Sequence, residues 1–155
     1  MKGIVIYDSS FGNTKKVAET IAESLKDAGL DVDLLHVKDA KLSGKRYDFL
    51  ILGSPTKFGT MTFTVRFFFG SVKSEEWANK PFATFDTENP DNPDRYSAAL
   101  KMAERLREKK MSEVVPALRA IVIGQKGPLK DGEVERIKGW ARGLAAKLGE
   151  AAPPQ

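Results

Sequence analysis

The sequence contains no cysteine and a single histidine, His36, and each shortage excludes classes of function. Without cysteine there can be no disulfide framework, cysteine-ligated zinc, iron–sulfur cluster or thiol nucleophile. One imidazole cannot furnish a metal site that needs two or three, and it restricts histidine-based catalysis to one position. We therefore expect a cytoplasmic protein whose chemistry rests neither on thiols nor on clustered imidazoles.

Long apolar runs are also missing, because nowhere do about 20 apolar residues follow one another. The first residues lead directly into a strand-like segment rather than a signal peptide. The net charge is +4, but residues 1–100 hold 13 basic and 14 acidic side chains, whereas residues 101–155 hold 12 and 7. We expect a soluble chain without a membrane span, and we interpret the basic part as solvated helix faces rather than a nucleic-acid surface.

Short apolar segments rich in β-branched and aromatic residues alternate with segments of helical periodicity. The predicted strands are Gly3–Tyr7, Val32–Val37, Phe49–Leu52, Phe82–Phe85 and Leu118–Ile123. The predicted helices span residues 14–28, 62–71, 95–109 and 132–148. This alternation is typical of a parallel sheet covered by helices on both faces. At this length we expect one domain, residues 1–149, followed by a frayed tail at 150–155.

The loop after the first predicted strand concentrates hydroxyl groups at a helix start, in the order Asp8-Ser9-Ser10-Phe11-Gly12-Asn13-Thr14. A helix N-terminus carries unpaired backbone N–H groups and a partial positive charge, which together suit a phosphate. Ser9, Ser10 and Thr14 can add hydroxyl donors, and Gly12 permits close backbone approach. A serine that merely caps the helix is the alternative, and the clustering of these residues favours an anion site. Neither G-x-x-x-x-G-K-[ST] nor G-x-G-x-x-G occurs, so the loop of an NTPase or of a dinucleotide-binding domain is not supported.

The run from Val5 to Thr14, continued by Ala18 and Ile21, resembles the phosphate loop of flavodoxins, and the resemblance extends over nearly all of residues 1–148. It implies a three-layer α/β sandwich with a five-stranded parallel sheet in the order 2-1-3-4-5. It also implies FMN as the cofactor, with the 5′-phosphate held without metal by Ser9, Ser10, Phe11, Gly12, Asn13 and Thr14.

The loop after the third strand, Gly53–Met61, resembles the flavodoxin loop that wraps the isoalloxazine. Taken alone, Gly-Ser-Pro-Thr predicts only a turn, but the ends of strands one and three flank the switch point of such a sheet. The resemblance implies that the ring lies along Ser54, Pro55, Thr56, Lys57, Phe58 and Gly59. Among these residues, Phe58 is the candidate for stacking on the flavin.

The loop after the fourth strand departs from the family pattern, because it carries acidic and amide groups and its nearest aromatic residue is Tyr96. The resemblance implies that this loop meets the pyrimidine edge of FMN through Asp86, Thr87, Glu88 and Asn89. We expect the carboxylates of Asp86 or Glu88 to oppose a reduced, anionic flavin by like-charge repulsion.

Three functions follow from these loops. The first is an electron-transfer protein that carries one or two electrons on FMN and needs no catalytic acid, base or metal of its own. The alternative is an FMN-dependent NAD(P)H:quinone oxidoreductase, because Pro55–Met61 resembles Pro-Thr-Arg-Phe-Gly-Asn-Met of such reductases, although the late insertion of those enzymes is absent. The third is a binding or regulatory module without FMN, suggested by the unusual loop after strand four.

We expect redox proteins as partners, acidic ones because the last third of the chain is basic, and either a monomer or a homodimer. One ring of Phe67, Phe68 and Phe69 could lie at a subunit interface or all three could pack in the core. His36 alternates with Val32 and Leu34 on a predicted edge strand, which favours a half-buried packing role over catalysis.

Overall fold

The computed structural model describes residues 1–40, 42–93 and 95–151, the last of them by its backbone alone. The strands are β1 (Lys2–Tyr7), β2 (Asp31–His36), β3 (Phe49–Pro55), β4 (Pro81–Glu88), β5 (Ser112–Glu113) and β6 (Leu118–Ile121). The helices are α1 (Asn13–Asp27), α2 (Phe63–Phe68), α3 (Ser74–Trp77), α4 (Ala98–Glu108) and α5 (Glu133–Ala151). Short 3₁₀ turns cover Val37–Asp39, Gly44–Arg46 and Phe69–Ser71.

The strands form one parallel sheet in the order β2-β1-β3-β4-β5, and β6 also pairs with β4. The predicted fold class and strand order are therefore confirmed. The fifth position is divided, because β5 pairs with the start of β4 and β6 with its end. The predicted strand Leu118–Ile123 ends two residues early because the chain turns back there, and Val122 forms an antiparallel bridge to Leu129.

Both faces of the sheet are covered, because nearly all residues of β1, β3 and β4 are buried on both sides. Helices α1 and α5 bury Ile21, Leu25 and Leu144 against one face. Helices α2, α3 and α4 cover the other face, where Trp77 of α3 is fully buried. The predicted amphipathic helices are thus present, and they pack their apolar residues against the sheet.

The register brings the carboxyl ends of the central strands to one edge. Tyr7 lies beside Gly53, and Pro55 lies beside Thr87. Gly53 has no room for a side chain, because a Cβ there would lie 2.1 Å from the Phe85 ring. This close packing at the strand ends fixes the positions of the loops that follow β1, β3 and β4.

Helix α5 runs to Ala151, slightly past the predicted domain boundary, and the tail predicted to fray lies, from residue 152 onward, outside the described residues. Within the described ranges, none of the helices has the length and apolar character needed to cross a bilayer.

Candidate functional site

A cleft of about 630 Å³ opens at the carboxyl ends of β1, β3 and β4. Its volume is in the range that small-molecule sites occupy. Eleven predicted site residues line it: Ser10, Phe11, Asn13, Thr14, Pro55, Thr56, Lys57, Phe58, Thr87, Glu88 and Asn89. The other two lining residues are Val122 and Gln125. The fold therefore brings the three predicted loops together around one cavity.

The loop that follows β1 presents the N-terminus of α1 to this cleft. Gly12 is the cap residue and adopts a φ of +91°, a left-handed conformation that glycine tolerates best. A Cβ at Gly12 would meet no atom within 4 Å, so the space beside the helix start is open. Ser9 acts within the loop, since its Oγ accepts hydrogen bonds from the N–H groups of Gly12 (3.0 Å) and Lys15 (3.4 Å). Ser10 is exposed and lines the cleft.

The loop after β1 is tied to its neighbours from two sides. The hydroxyl groups of Thr14 and Thr87 share a hydrogen bond of 2.8 Å in the buried floor of the cleft. The Asn13 side-chain amide donates to the backbone carbonyl of Lys126 at 2.9 Å. Gly127 permits this approach, because a Cβ there would lie 2.4 Å from the Asn13 amide. These contacts keep the start of α1 in place relative to β4 and the loop after β6.

The loop after β6 forms a wall that our sequence reasoning missed. Val122 and Gln125 line the cleft, and the Lys126 Nζ atom lies 5.9 Å from the centroid of the Phe11 ring. The available signal was the pair Gly124 and Gly127 after the last apolar strand, since glycines at a strand end permit a tight turn toward a ligand.

At the start of the loop after β1, Asp8 joins three elements. Its carboxylate accepts hydrogen bonds from the N–H of Ser9 (2.8 Å) and the hydroxyl of Thr62 (2.6 Å) and lies 3.2 Å from the His36 Nε2 atom. The His36 Nδ1 atom accepts from the N–H of Lys38, which places the hydrogen of the neutral ring on Nε2, toward Asp8. The predicted packing role of His36 is present in its edge-on contact with Tyr7, and the polar contact adds a role in holding the loop.

The loop after β3 holds an aromatic ring out at the mouth of the cleft. Lys57 and Thr60 exchange both backbone hydrogen bonds, and Phe58 and Gly59 between them have φ values of +52° and +79°. Positive φ at both central positions is typical of a type I′ turn, and it is strained for a bulky residue such as phenylalanine. The Phe58 side chain is nevertheless fully exposed, while Gly59 packs against Tyr96. A strained, exposed aromatic residue at a cleft indicates a ligand-contacting role.

Two predicted site residues turn inward instead of facing the cleft. The Ser54 hydroxyl donates to the Pro55 carbonyl and accepts from the N–H of Thr62, so its side chain fastens the loop. The carboxylate of Asp86 is fully buried, and one of its oxygens accepts from the Thr56 hydroxyl, the Ser97 hydroxyl and the N–H of Ala99. The Asp86 carboxyl group is therefore directed away from the cleft, because the start of α4 occupies it, and of the two acids expected to oppose a reduced flavin only Glu88 lines the cleft.

Burial also changes the charge of Asp86. Desolvation, reinforced by the neighbouring Glu88 carboxyl group, raises the pKa of Asp86 to about 8. The group is consequently neutral for the most part at pH 7. Its second oxygen has no hydrogen-bond partner in the described structure, which is acceptable only for an uncharged carboxyl group.

Glu88 lines the cleft, but its charge is balanced. Arg119 from β6 binds both carboxylate oxygens, with Nε 3.0 Å from one and a terminal nitrogen 2.8 Å from the other. The Glu88 carboxylate is only 4% exposed, so this two-pronged pair is shielded from solvent. The repulsion predicted between this loop and a reduced flavin is therefore reduced by a cation that the sequence did not place here.

The cleft offers the groups that an FMN would need. Its geometry alone does not identify the ligand. An open helix N-terminus with hydroxyl groups suits a phosphate, and the exposed Phe58 ring suits a planar ligand. Among the described residues there is no cluster of three histidine, aspartate or glutamate side chains that could hold a metal ion. The arrangement can thus bind a phosphorylated aromatic compound through protein groups.

Comparison with known proteins points in the same direction. The family model described as Flavodoxin matches residues 5–140. A flavodoxin from Maridesulfovibrio salexigens is 27% identical over 155 residues, covering 95% of this chain and 99% of the relative. A flavodoxin from Aquifex aeolicus is 40% identical over 78 residues, which cover 49% of this chain and 42% of that relative. Among solved structures, a flavodoxin from the domain Archaea superimposes with a TM-score of 0.79 at 25% identity, covering 96% of this chain and 99% of that one.

Proposed function

Because the chain belongs to the flavodoxin family and is an FMN-binding electron-transfer protein, we propose that the cleft at the ends of β1, β3 and β4 is its FMN site. The observation that carries this proposal is the joint presence of an open helix start at Gly12 and an exposed ring at Phe58 on the same cavity. A phosphate and a flavin ring each require one of these features.

Each loop then has its own task. The start of α1, with the Ser10 hydroxyl, binds the phosphate, and Ser9 keeps the loop in the shape that exposes those N–H groups. Phe58 orients the ring system and excludes water from it. The backbone of residues 87–89 lies where the opposite edge of the ring is expected. Bound FMN supplies the chemistry, because it accepts and releases one or two electrons without a protein acid or base.

Hydride transfer from NAD(P)H to a quinone has weaker support. Its sequence argument is the run Pro55–Met61, and that run forms the turn that holds Phe58, which a carrier needs equally. The cleft's one lining carboxylate, Glu88, is held by Arg119, so among the described lining residues no carboxyl group is free to serve as a catalytic acid. We therefore favour the carrier over the enzyme and over a module that lacks FMN.

The finer properties are also proposals. The net charge of +4 supports an acidic rather than a basic redox partner. The absence of cysteine from the whole sequence supports a cytoplasmic location, which fractionation of expressing cells would test. Residues 56–72, which follow β3 beside the cleft, carry two basic side chains and no acidic one, and this supports a monomer over a homodimer that would pair those surfaces.

A comparison of FMN with riboflavin tests the site. Riboflavin has the same ring without the phosphate, so we expect the FMN-free protein to bind FMN at one equivalent and riboflavin at least about 100-fold more weakly, a difference of ~3 kcal/mol. Quenching of flavin fluorescence measures both affinities. Equal affinities would contradict the phosphate site, and the absence of binding for either flavin would contradict the proposed function.

A further inference from the structure

A group of exposed aromatic rings lies beside the cleft, on the side covered by α2 and α4. Phe63 and Phe67 are 73% and 81% exposed, and their spacing of four residues puts them on the same side of α2. Tyr96 lies two residues before α4, is 44% exposed and contacts Gly59 in the turn that carries Phe58. The rings thus continue from the mouth of the cleft onto the neighbouring helices.

Positive side chains accompany these rings. Arg66 lies 5.6 Å from the centroid of the Phe63 ring, and Arg95 lies 4.9 Å from that of Tyr96. From α4, Arg105 lies 5.2 Å from the ring of Phe69, which follows α2. We call this surface the aromatic–basic face and define it as Phe58, Phe63, Phe67 and Tyr96 with Lys57, Arg66, Arg95, Lys101 and Arg105.

Acidic groups are sparse on this face. Residues 56–72 contain two basic side chains and no acidic one. On α4, Lys101 and Arg105 are four residues apart and share the side that reaches Phe69, and the exposed acid Glu108 follows them on that side at the end of the helix. Glu104 lies in the groove on the other flank, with Glu113 and Val114. The exposed acid Asp91 borders Phe58 from the loop after β4 and lies at the margin of the face.

The opposite side of the sheet differs in its exposed apolar side chains rather than in the total charge of its helices. Helices α1 and α5 carry seven basic and six acidic side chains, and α2, α3 and α4 carry four of each, so the positive surplus beside the cleft comes from residues 56–72 and from one side of α4. None of the large apolar side chains that the described residues expose belongs to α1 or α5. The aromatic–basic face is therefore a local property of the cleft side and does not reflect the average surface of the molecule.

We infer that the aromatic–basic face is the docking surface for an acidic electron-transfer protein, an inference that rests on the proposed function. Exposed aromatic and arginine side chains are the groups that contribute most to binding at interfaces. A second copy docked by the same face would bring cations against cations, so charge complementarity selects an acidic partner. Phe58 belongs to both the cleft and this face, so a partner docked here lies next to the proposed flavin site.

Charge reversal on the face tests this inference. The variant Arg66→Glu/Lys101→Glu reverses two of its cations, and Lys26→Glu/Arg142→Glu, two exposed cations of α1 and α5, is the matched control. The probe is an acidic plant-type [2Fe–2S] ferredoxin, which after reduction gives one electron to the oxidised FMN-loaded protein. The rate constant is followed by stopped-flow absorbance, and cytochrome c, a basic protein, serves as the electron acceptor of opposite charge.

We expect the rate with ferredoxin to fall at least about tenfold in the face variant and less than about twofold in the control. The wild-type rate should also fall between about 0.01 M and 0.15 M salt, over which the Debye length shrinks from ~30 to ~8 Å. The rate of electron transfer to cytochrome c should instead rise with salt. Equal slowing in the two double variants, or a ferredoxin rate that salt leaves unchanged or increases, would overturn the docking surface.

Binding without flavin separates this inference from the proposed function. Calorimetry of the FMN-free protein with oxidised ferredoxin should detect a complex that Phe63→Ser/Phe67→Ser weakens at least about tenfold, with circular dichroism confirming that the variant is folded. If the protein binds no FMN but this complex forms, the proposed function fails and the docking surface stands. The docking surface is rejected if no complex forms. It is also rejected if sedimentation shows a wild-type dimer that the same variant abolishes, or if anionic vesicles bind the face more tightly than ferredoxin does.

Discussion

The polar segments at the carboxyl ends of β1 and β4 border the same cleft, yet their side chains serve opposite purposes. The loop after β1 leaves Ser10 and the space beside Gly12 open to the cleft. At the end of β4, Asp86 is buried against the start of α4 and Glu88 is held by Arg119. A polar residue at a strand end can therefore serve a ligand or brace the fold, and only its partners distinguish the two roles.

The largest effect should come from filling the open space beside the start of α1. In Gly12→Val the new side chain occupies the space beside the helix start, and we expect FMN affinity to fall about 100-fold or more (~3 kcal/mol). The matched control is Gly29→Val at the end of α1, where φ is +92° and a Cβ would also meet nothing within 4 Å. Both variants should lose about 1–3 kcal/mol of unfolding free energy from backbone strain.

Fluorescence titration and urea unfolding of both variants separate binding from stability. Only Gly12→Val should lose FMN affinity. A comparable loss in Gly29→Val would show that the effect arises from folding and that the loop after β1 has no special role.

The next effect concerns the buried carboxyl group of Asp86 near the end of β4. Asp86→Ala removes an acceptor shared by the Thr56 hydroxyl, the Ser97 hydroxyl and the N–H of Ala99, and we expect the unfolding free energy to fall by about 1–3 kcal/mol. Urea unfolding of the FMN-free protein measures this loss. Asp86→Asn keeps an acceptor oxygen at the same position and is the milder control.

The same carboxyl group makes stability depend on pH. Its pKa is about 8 in the folded protein and about 4 in an unfolded chain. Between these values the folded state retains a proton that the unfolded state has lost, so the unfolding free energy should fall as pH rises from about 4 to 8. Asp86→Asn lacks this titration and should show a shallower slope. Parallel slopes in the two proteins would show that Asp86 is already ionised when folded.

A smaller change in FMN affinity is expected when Phe58, the exposed aromatic residue in the turn after β3, is replaced. In Phe58→Asn, FMN affinity should fall about tenfold (~1.4 kcal/mol), because stacking is lost. The FMN-free protein should be equally or slightly more stable, since asparagine adopts positive φ more readily than phenylalanine. Phe67→Asn, exposed but outside the cleft, is the control, and an equal loss of affinity there would argue against stacking by Phe58.

The smallest effect should follow from exposing the charge that Arg119 balances. Arg119→Gln leaves the Glu88 carboxylate facing the cleft, and we expect the reduction potential of bound FMN to become more negative by on the order of 1 kcal/mol per electron. Unfolding free energy provides a second readout, because a shielded carboxylate loses its partner. Arg107→Gln removes the exposed pair with Glu113 and should change neither quantity.

A second variant isolates the charge from the shape of Arg119. Adding Glu88→Gln to Arg119→Gln removes the unbalanced carboxylate and should restore the potential. A potential that stays shifted in the double variant would mean that Arg119 acts through the shape of the loop.

Much of the fold and part of the site could be predicted from local pattern. Apolar runs separated by helical periodicity are sufficient to predict a parallel sheet with two helical layers. The loop with Ser10 and Gly12 could be recognised because a helix start, hydroxyl groups and a glycine are neighbours along the chain. The exposure of Phe58 follows from the turn that Gly59 permits, and that turn is also local.

The remaining features depend on residues that are far apart in sequence. Asp8 meets Thr62 and His36, Glu88 meets Arg119, and Asn13 meets the carbonyl of Lys126 only because the sheet order brings their strand ends together. The division of the fifth sheet position between β5 and β6 has the same origin, since each of them pairs with a different part of β4.

The sequence by itself determined the alternation of strands and helices, the absence of thiol chemistry and the presence of a helix start rich in hydroxyl groups, because each depends on residue type and near spacing. The tertiary structure decided which polar groups remain available to a ligand. The side chains of Ser54 and Asp86 are consumed by distant partners, and Val122 and Gln125 are brought to the cleft. Burial and hydrogen bonding between remote segments set the charge and orientation of a side chain, and these arise only when the chain is folded.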